Sequence, residues 1–122
     1  VTLAERCNTI EECYEFMLAY AAQGVADGTE VREYLTRAAT ALTGLGQIAR
    51  HELASPFVAV LDRDANDALA AVELALAQPA ISSQLVDNLN ASIHLRALLT
   101  DLFLIDEVLK ASRTSENQVS IG

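Results

Sequence analysis

There is no tryptophan in this chain, and there are only two prolines, five glycines and two cysteines. Each scarcity excludes something. With three tyrosines and three phenylalanines as its only aromatic residues, the chain has to build its core from aliphatic side chains, many of them alanine, which favours close-packed helices over sheets. Few prolines and glycines mean few interruptions and therefore long elements. Two cysteines, Cys7 and Cys13, cannot form a disulfide scaffold; six residues along one helix would set them about 9 Å apart on different faces. They are expected to be small buried thiols in a reducing compartment.

Basic residues are scarce too. Eight stand against 17 acidic ones, for a formal charge of −9. Arg32, Arg37, Arg50, Arg63, Arg96 and Arg113 are scattered, and Lys110 is the single lysine. Nucleic acid and anionic lipid both need concentrated Lys and Arg, so neither is an expected partner. No long apolar run exists: the richest, Leu95 to Leu109, is broken by Arg96, Asp101, Asp106 and Glu107, too charged to span a bilayer. The N-terminal Val-Thr-Leu-Ala-Glu-Arg-Cys lacks the basic and apolar regions of a secretory signal. A cytoplasmic location is the expectation.

What remains is helical periodicity in 122 residues, the size of one domain. Thr2 with Glu5 and Thr9 with Glu12 have capping-box spacing, which predicts a short leading turn and then a helix over 9–22. Its apolar stripe is Ile10, Tyr14, Met17, Leu18, Ala21 and Val25, and Glu11, Glu12 and Glu15 form its solvated side. After stop and start signals at Gly24 and Ala26–Thr29, a second helix is predicted over 30–53, with Gly44 and Gly46 as places where another backbone could approach. Ser55-Pro56 reads as N-cap and first turn of a third helix over 56–77. Ser82 or Ser83 caps a fourth, expected to run to Lys110. That last helix carries two apolar stripes. One is Leu95, Leu98, Leu99, Leu102, Ile105 and Leu109; the other is Val86, Leu89, Ile93, Ala97, Leu104 and Val108. A helix apolar on two sides needs cover on two sides, which makes a homodimer an expected assembly. The fold expected is an all-α, up-and-down four-helix bundle with a short extra N-terminal turn or helix, occupying 1–111, followed by a loosely ordered polar tail over 112–122.

Chemistry is thinly represented. Neither His51 nor His94 has the carboxylate three residues before it that a bundle-type di-iron site uses, and no glycine-rich phosphate loop is present. No metal, cofactor or catalytic activity is expected. The polar stretch Asp87–Arg96 is expected to bond across the bundle and fix its register; as a ligand site it offers a weak candidate pocket of Asn90, His94 and Tyr14. The run Ile48-Ala49-Arg50-His51-Glu52-Leu53-Ala54-Ser55-Pro56-Phe57 resembles the phosphoacceptor box of histidine-kinase dimerisation domains. The resemblance implies that His51 accepts phosphate, with Glu52 as acid/base partner, Ser55 as polar support one turn on and Pro56 bending the helix. It covers ten residues, and the Lys-Gly pair that usually follows the histidine of phosphotransfer domains is missing. Three functional expectations follow: a self-associating, non-catalytic helical interaction protein serving as adaptor or regulatory subunit; a phosphotransfer or kinase-docking module using His51; and a small-ligand-binding helical bundle.

Overall fold

The computed structural model describes residues 2–121, with side chains described over 2–111. The described chain is all-helical, in six helices where four were expected: α1 Leu3–Ala21, α2 Thr29–Leu42, α3 Leu45–Glu52, α4 Phe57–Leu76, α5 Ser83–Ala91 and α6 Ile93–Ile121. The backbone of α6 runs through the boundary expected at residue 111.

Three boundaries depart from the local reading, each for a definable reason. α1 has no break at Thr9. Thr2 accepts from the Glu5 amide at 3.1 Å and is the true N-cap, while the Thr9 hydroxyl donates to the Glu5 carbonyl in mid-helix. The second expected helix divides at Thr43–Gly44, where Gly44 takes a left-handed φ of 71° that side-chain-bearing residues rarely adopt. The fourth divides at Ser92, which turns extended (ψ 145°) and accepts from the Leu95 amide, so a serine inside an apolar pattern acts as the N-cap of a new helix.

The buried face of α1 is Leu3, Cys7, Ile10, Cys13, Met17 and Tyr20. Leu18, expected inside, is 47% exposed, and Tyr20 takes the inward position. α1 packs against α2 and α5, α4 packs against α2, α3 and α6, and both long helices also touch the remaining neighbours. The first stripe of α6, Leu95, Leu98, Leu99, Leu102 and Ile105, is buried in this core as expected.

Helix ends are closed by side chains from far along the chain. Glu52 Oε2 accepts from the Leu3 amide at 2.7 Å, supplying an anion to the N-terminus of α1. Arg6 Nη1 donates to the carbonyls of Thr40, Ala41 and Thr43, the last at 2.6 Å, at the C-terminus of α2. Arg32 donates to the carbonyls of Leu76 and Gln78 at the end of α4. The loop after α1 is tied to the segment before α5 by Ser83, whose amide donates to Val25 and whose hydroxyl accepts from the Val25 amide and donates to the Tyr20 carbonyl. The Tyr20 hydroxyl donates to Ile81 at 2.6 Å, and Asp27, rather than capping α2, accepts from the Ile81 amide.

Candidate functional site

The residues singled out for phosphotransfer do not share a helix. His51 is exposed near the end of α3, but α3 stops at Glu52 and Leu53 is extended (φ −132°, ψ 124°). Ser55 therefore does not lie one helical turn beyond His51. Its hydroxyl oxygen accepts from the Phe57 amide at the start of α4, and the Glu52 carboxylate is engaged at the N-terminus of α1. The bent-helix geometry implied by the resemblance is replaced by a helix, an extended joint and a second helix.

Asn90, His94 and Tyr14 are not brought together either. Asn90 is buried and its Nδ2 donates to the Met17 carbonyl of α1 at 3.2 Å, a cross-helix bond of the register-fixing kind. His94 lies beyond the break at Ser92, exposed, in a groove lined by α4 and α5 residues that includes neither Asn90 nor Tyr14. Among the described residues no group of three or more His, Cys, Asp or Glu side chains is placed to hold a metal ion.

Three features emerge that the sequence reading missed or only half saw. The first is a surface on α6. Ile93, Phe103, Leu104 and Val108 are all more than half exposed. Leu104 and Val108 also form one wall of an almost purely apolar groove of about 240 Å³, completed by Leu53, Ser55, Phe57 and Ile105. Val60, one turn beyond Phe57 on α4, extends the apolar surface at 38% exposure.

The second is an open surface groove of about 350 Å³ between α1 and α2, lined by Arg6, Thr9, Thr36, Arg37, Thr40 and Ala41. Two arginines 31 positions apart thus line one groove on a strongly acidic chain. Arg37 Nη2 pairs with Glu12 Oε1 at 3.2 Å, and its guanidinium lies 5.2 Å from the centroid of the Tyr34 ring. That ring stacks on Phe16 at 3.9 Å and 4°. The paired Glu12 and the stacked Tyr34 together fix where Arg37 sits.

The third is two carboxyl pairs that α6 forms with its neighbours, Asp106 with Glu11 of α1 and Asp101 with Asp64 of α4. Glu11, expected on the solvated side of α1, is half-buried and its Oε1 is enclosed without a hydrogen-bond partner. Burial first, then a shared-proton hydrogen bond with Asp106 and the charges of Asp106 and Glu15, push its carboxyl up to about 7, with Lys110 pulling the other way. Asp101, 6% exposed, likewise has an enclosed, unpartnered Oδ2. Burial and then Asp64 on α4 raise it to about 7. Each pair therefore holds a proton to higher pH than an isolated carboxyl would.

The cysteines are free and buried. Burial, helped by Asp106, Glu11 and Glu52, pushes the Cys7 thiol up to about 12, and burial also raises Cys13. Thiolate being the reactive form, both are expected to be silent toward an aromatic disulfide reagent at pH 8 in the native protein. They should react together once denaturant is added. Fast labelling of the native chain would contradict this.

No helix among the described residues is long and apolar enough to cross a membrane. No protein-family model, no curated protein and no solved structure matches the chain.

Proposed function

We propose that this chain is a non-catalytic helical interaction module that pairs with a second copy of itself through α6. The observation that carries the reading is the division of the helix into two apolar stripes. One is buried in the core; of the other, Val86 and Leu89 fall on α5 and are buried too, while Ile93, Leu104 and Val108 on α6, with Phe103 beside them, remain in water. The exposed residues run from Ile93 to Val108, about 24 Å of α6, and two copies crossing in antiparallel would lay this length of helix against itself. A second copy suits the site because the patch is an aliphatic and aromatic strip with a groove of the same chemistry beside it. Such a surface can be self-complementary about a two-fold axis, with the exposed Glu107 and Lys110 beside it able to pair across the same axis.

The packing pattern supports a four-armed bundle, with α2 and α3 as one broken arm and α5 and α6 as another. Each arm lies between the two arms next to it in sequence, with the first and last also adjacent. In such a bundle the outer stripe of α6 is left for a partner. The signalling alternative has less support: His51 is accessible, but Glu52 and Ser55 are committed to backbone amides at two helix starts. A cytoplasmic adaptor or regulatory subunit is the role such a module would fill.

Sedimentation equilibrium tests the assembly. The wild type is expected to dimerise, and Leu104→Lys, which changes a side chain already 54% exposed, should weaken association by about tenfold or more without altering the helical spectrum. Leu18→Lys, equally exposed on α1, should leave it unchanged. A wild type that stays monomeric at the highest soluble concentration, or two variants with equal effects, defeats the reading.

A further inference from the structure

We infer that the open groove between α1 and α2 is a binding site for a small organic monocarboxylate with an apolar body. The donors are what define the ligand. The hydroxyls of Thr9, Thr36 and Thr40 donate to the carbonyls of Glu5, Arg32 and Thr36, at 3.0, 2.8 and 3.0 Å. Their protons are committed to the backbone, so toward the groove the threonines offer methyl groups and oxygens that accept. The donors left are the two guanidinium groups. Arg6 spends Nη1 on the α2 carbonyls and Arg37 spends Nη2 on Glu12. Among the described residues the other guanidinium N–H groups, Nη2 and Nε of Arg6 and Nη1 and Nε of Arg37, have no protein acceptor, and a guanidinium edge fits a carboxylate with two parallel bonds.

The charge balance sets the valence. Glu12 offsets Arg37, the carbonyl end of α2 offsets part of Arg6, and Glu5 and Glu33 stand exposed one turn from Thr9 and Arg37, so the groove has little positive charge to spare. One negative charge is attracted; the second charge of a phosphate monoester is not matched. Between the charged ends the wall is Ala41, threonine methyls and the arginine stems, and a volume near 350 Å³ lies at the lower end of small-molecule sites. Both arginines are held before any ligand arrives, Arg6 by three carbonyls and Arg37 by Glu12 and Tyr34, which lowers the ordering cost of binding.

The test is a titration of the full, isotopically labelled chain with sodium octanoate, 1-octanol and octyl phosphate, followed through backbone amide shifts. Octanoate is expected to move Thr9, Thr36, Thr40 and Ala41 with a dissociation constant below about 1 mM, and octanol to leave them in place. Arg37→Gln, whose side chain is 45% exposed, should weaken octanoate about tenfold with an unchanged melting curve, and Arg37→Lys should recover part of the loss. Arg6 is left alone because it closes α2. No shifts, equal binding of octanol, shifts confined to the Leu53–Val108 groove, or an Arg37→Gln variant that binds as the wild type would overturn the site. Tighter binding of octyl phosphate would overturn the monocarboxylate assignment.

Discussion

Replacing Asp101 with asparagine is expected to stabilise this protein above neutral pH and to flatten its loss of stability between pH 4 and 8. In the wild type the Asp101 carboxyl is 6% exposed with one oxygen enclosed and unpartnered, and it faces Asp64 across the α4–α6 contact. Its ordinary value of 3.8 is raised to about 7. A group whose folded-state value lies above the unfolded one contributes stability that is fully present below the unfolded value. That contribution falls as pH rises and is gone once pH passes the folded value. The unfolded chain releases this proton near pH 4 and the folded chain keeps it to about pH 7, so unfolding becomes progressively easier across that window and level beyond it. At about 1.4 kcal/mol per pH unit the loss is on the order of 2–4 kcal/mol, the lower end allowing for water reaching the half-buried Asp64. Asparagine keeps the shape, donates to Asp64 without needing a proton and removes the titration. Urea unfolding at pH 5 and pH 8 measures it. The wild type should lose stability between the two, while Asp101→Asn should lose much less and exceed the wild type at pH 8. Asp87→Asn makes the same charge change on an exposed residue and separates the local effect from relief of the general −9 repulsion; equal behaviour of the two variants would sink the explanation. Glu11 with Asp106 follows the same sign on the α1 side of the same helix, so α6 is the element that a rise from about pH 4 to pH 7 loosens.

The helical class was legible in the sequence because it rests on periodicity and composition, which are local. So was the Asn90 cross-bond as a kind, if not by partner; the second apolar stripe was only half legible, since Val86 and Leu89 are buried on α5 and only Ile93, Leu104 and Val108 stay exposed on α6. Helix ends were read less well, because this chain closes them at long range. The glutamate that serves the start of α1 is Glu52, and the arginine that closes α2 is Arg6. A local reading sees a hydroxyl and a carboxylate three residues apart at Thr9–Glu12 and finds a cap, whereas the fold continues the helix through it. Ser92 shows the opposite: a cap signal was present, but the apolar residues on either side outweighed it in the reading. The candidate sites were the least legible part. Arg6 and Arg37 stand 31 residues apart, and Glu11 and Asp106 stand 95 apart. Only the docking of α1 on α2 and on α6 makes either pair a pair.

The glycine at 46 was expected to admit a close approach, and its replacement is expected to be among the most damaging single-methyl changes in the chain. α3 lies against α4 so that a Cβ on Gly46 would stand 2.6 Å from Asp62 Cγ and closer still to its Cβ. Rotating the aspartate away relieves the carboxylate but not the Cβ, which is fixed to the α4 backbone. The helices have to separate, and with them the buried Leu45, Ala49 and Leu61. Two effects compete. Alanine is favoured over glycine inside a helix by about 1 kcal/mol; overpacking a close contact costs about 1–3 kcal/mol and more when backbone must move. Because backbone has to move, the repulsion lies at the upper end and wins, and Gly46→Ala should lower the unfolding free energy by about 2 kcal/mol net. The weak Arg50–Asp62 pairing, at 3.9 Å between partly exposed groups, adds little to this. A double-mutant cycle isolates the cause. In a chain already carrying Asp62→Gly there is no Cβ to meet, so adding Gly46→Ala should become neutral or stabilising as helix propensity takes over, a coupling of about 2 kcal/mol. A Gly46→Ala penalty that persists unchanged in that background would place the strain elsewhere in α3, and an alanine that stabilises the otherwise unaltered chain would mean the two helices do not approach this closely.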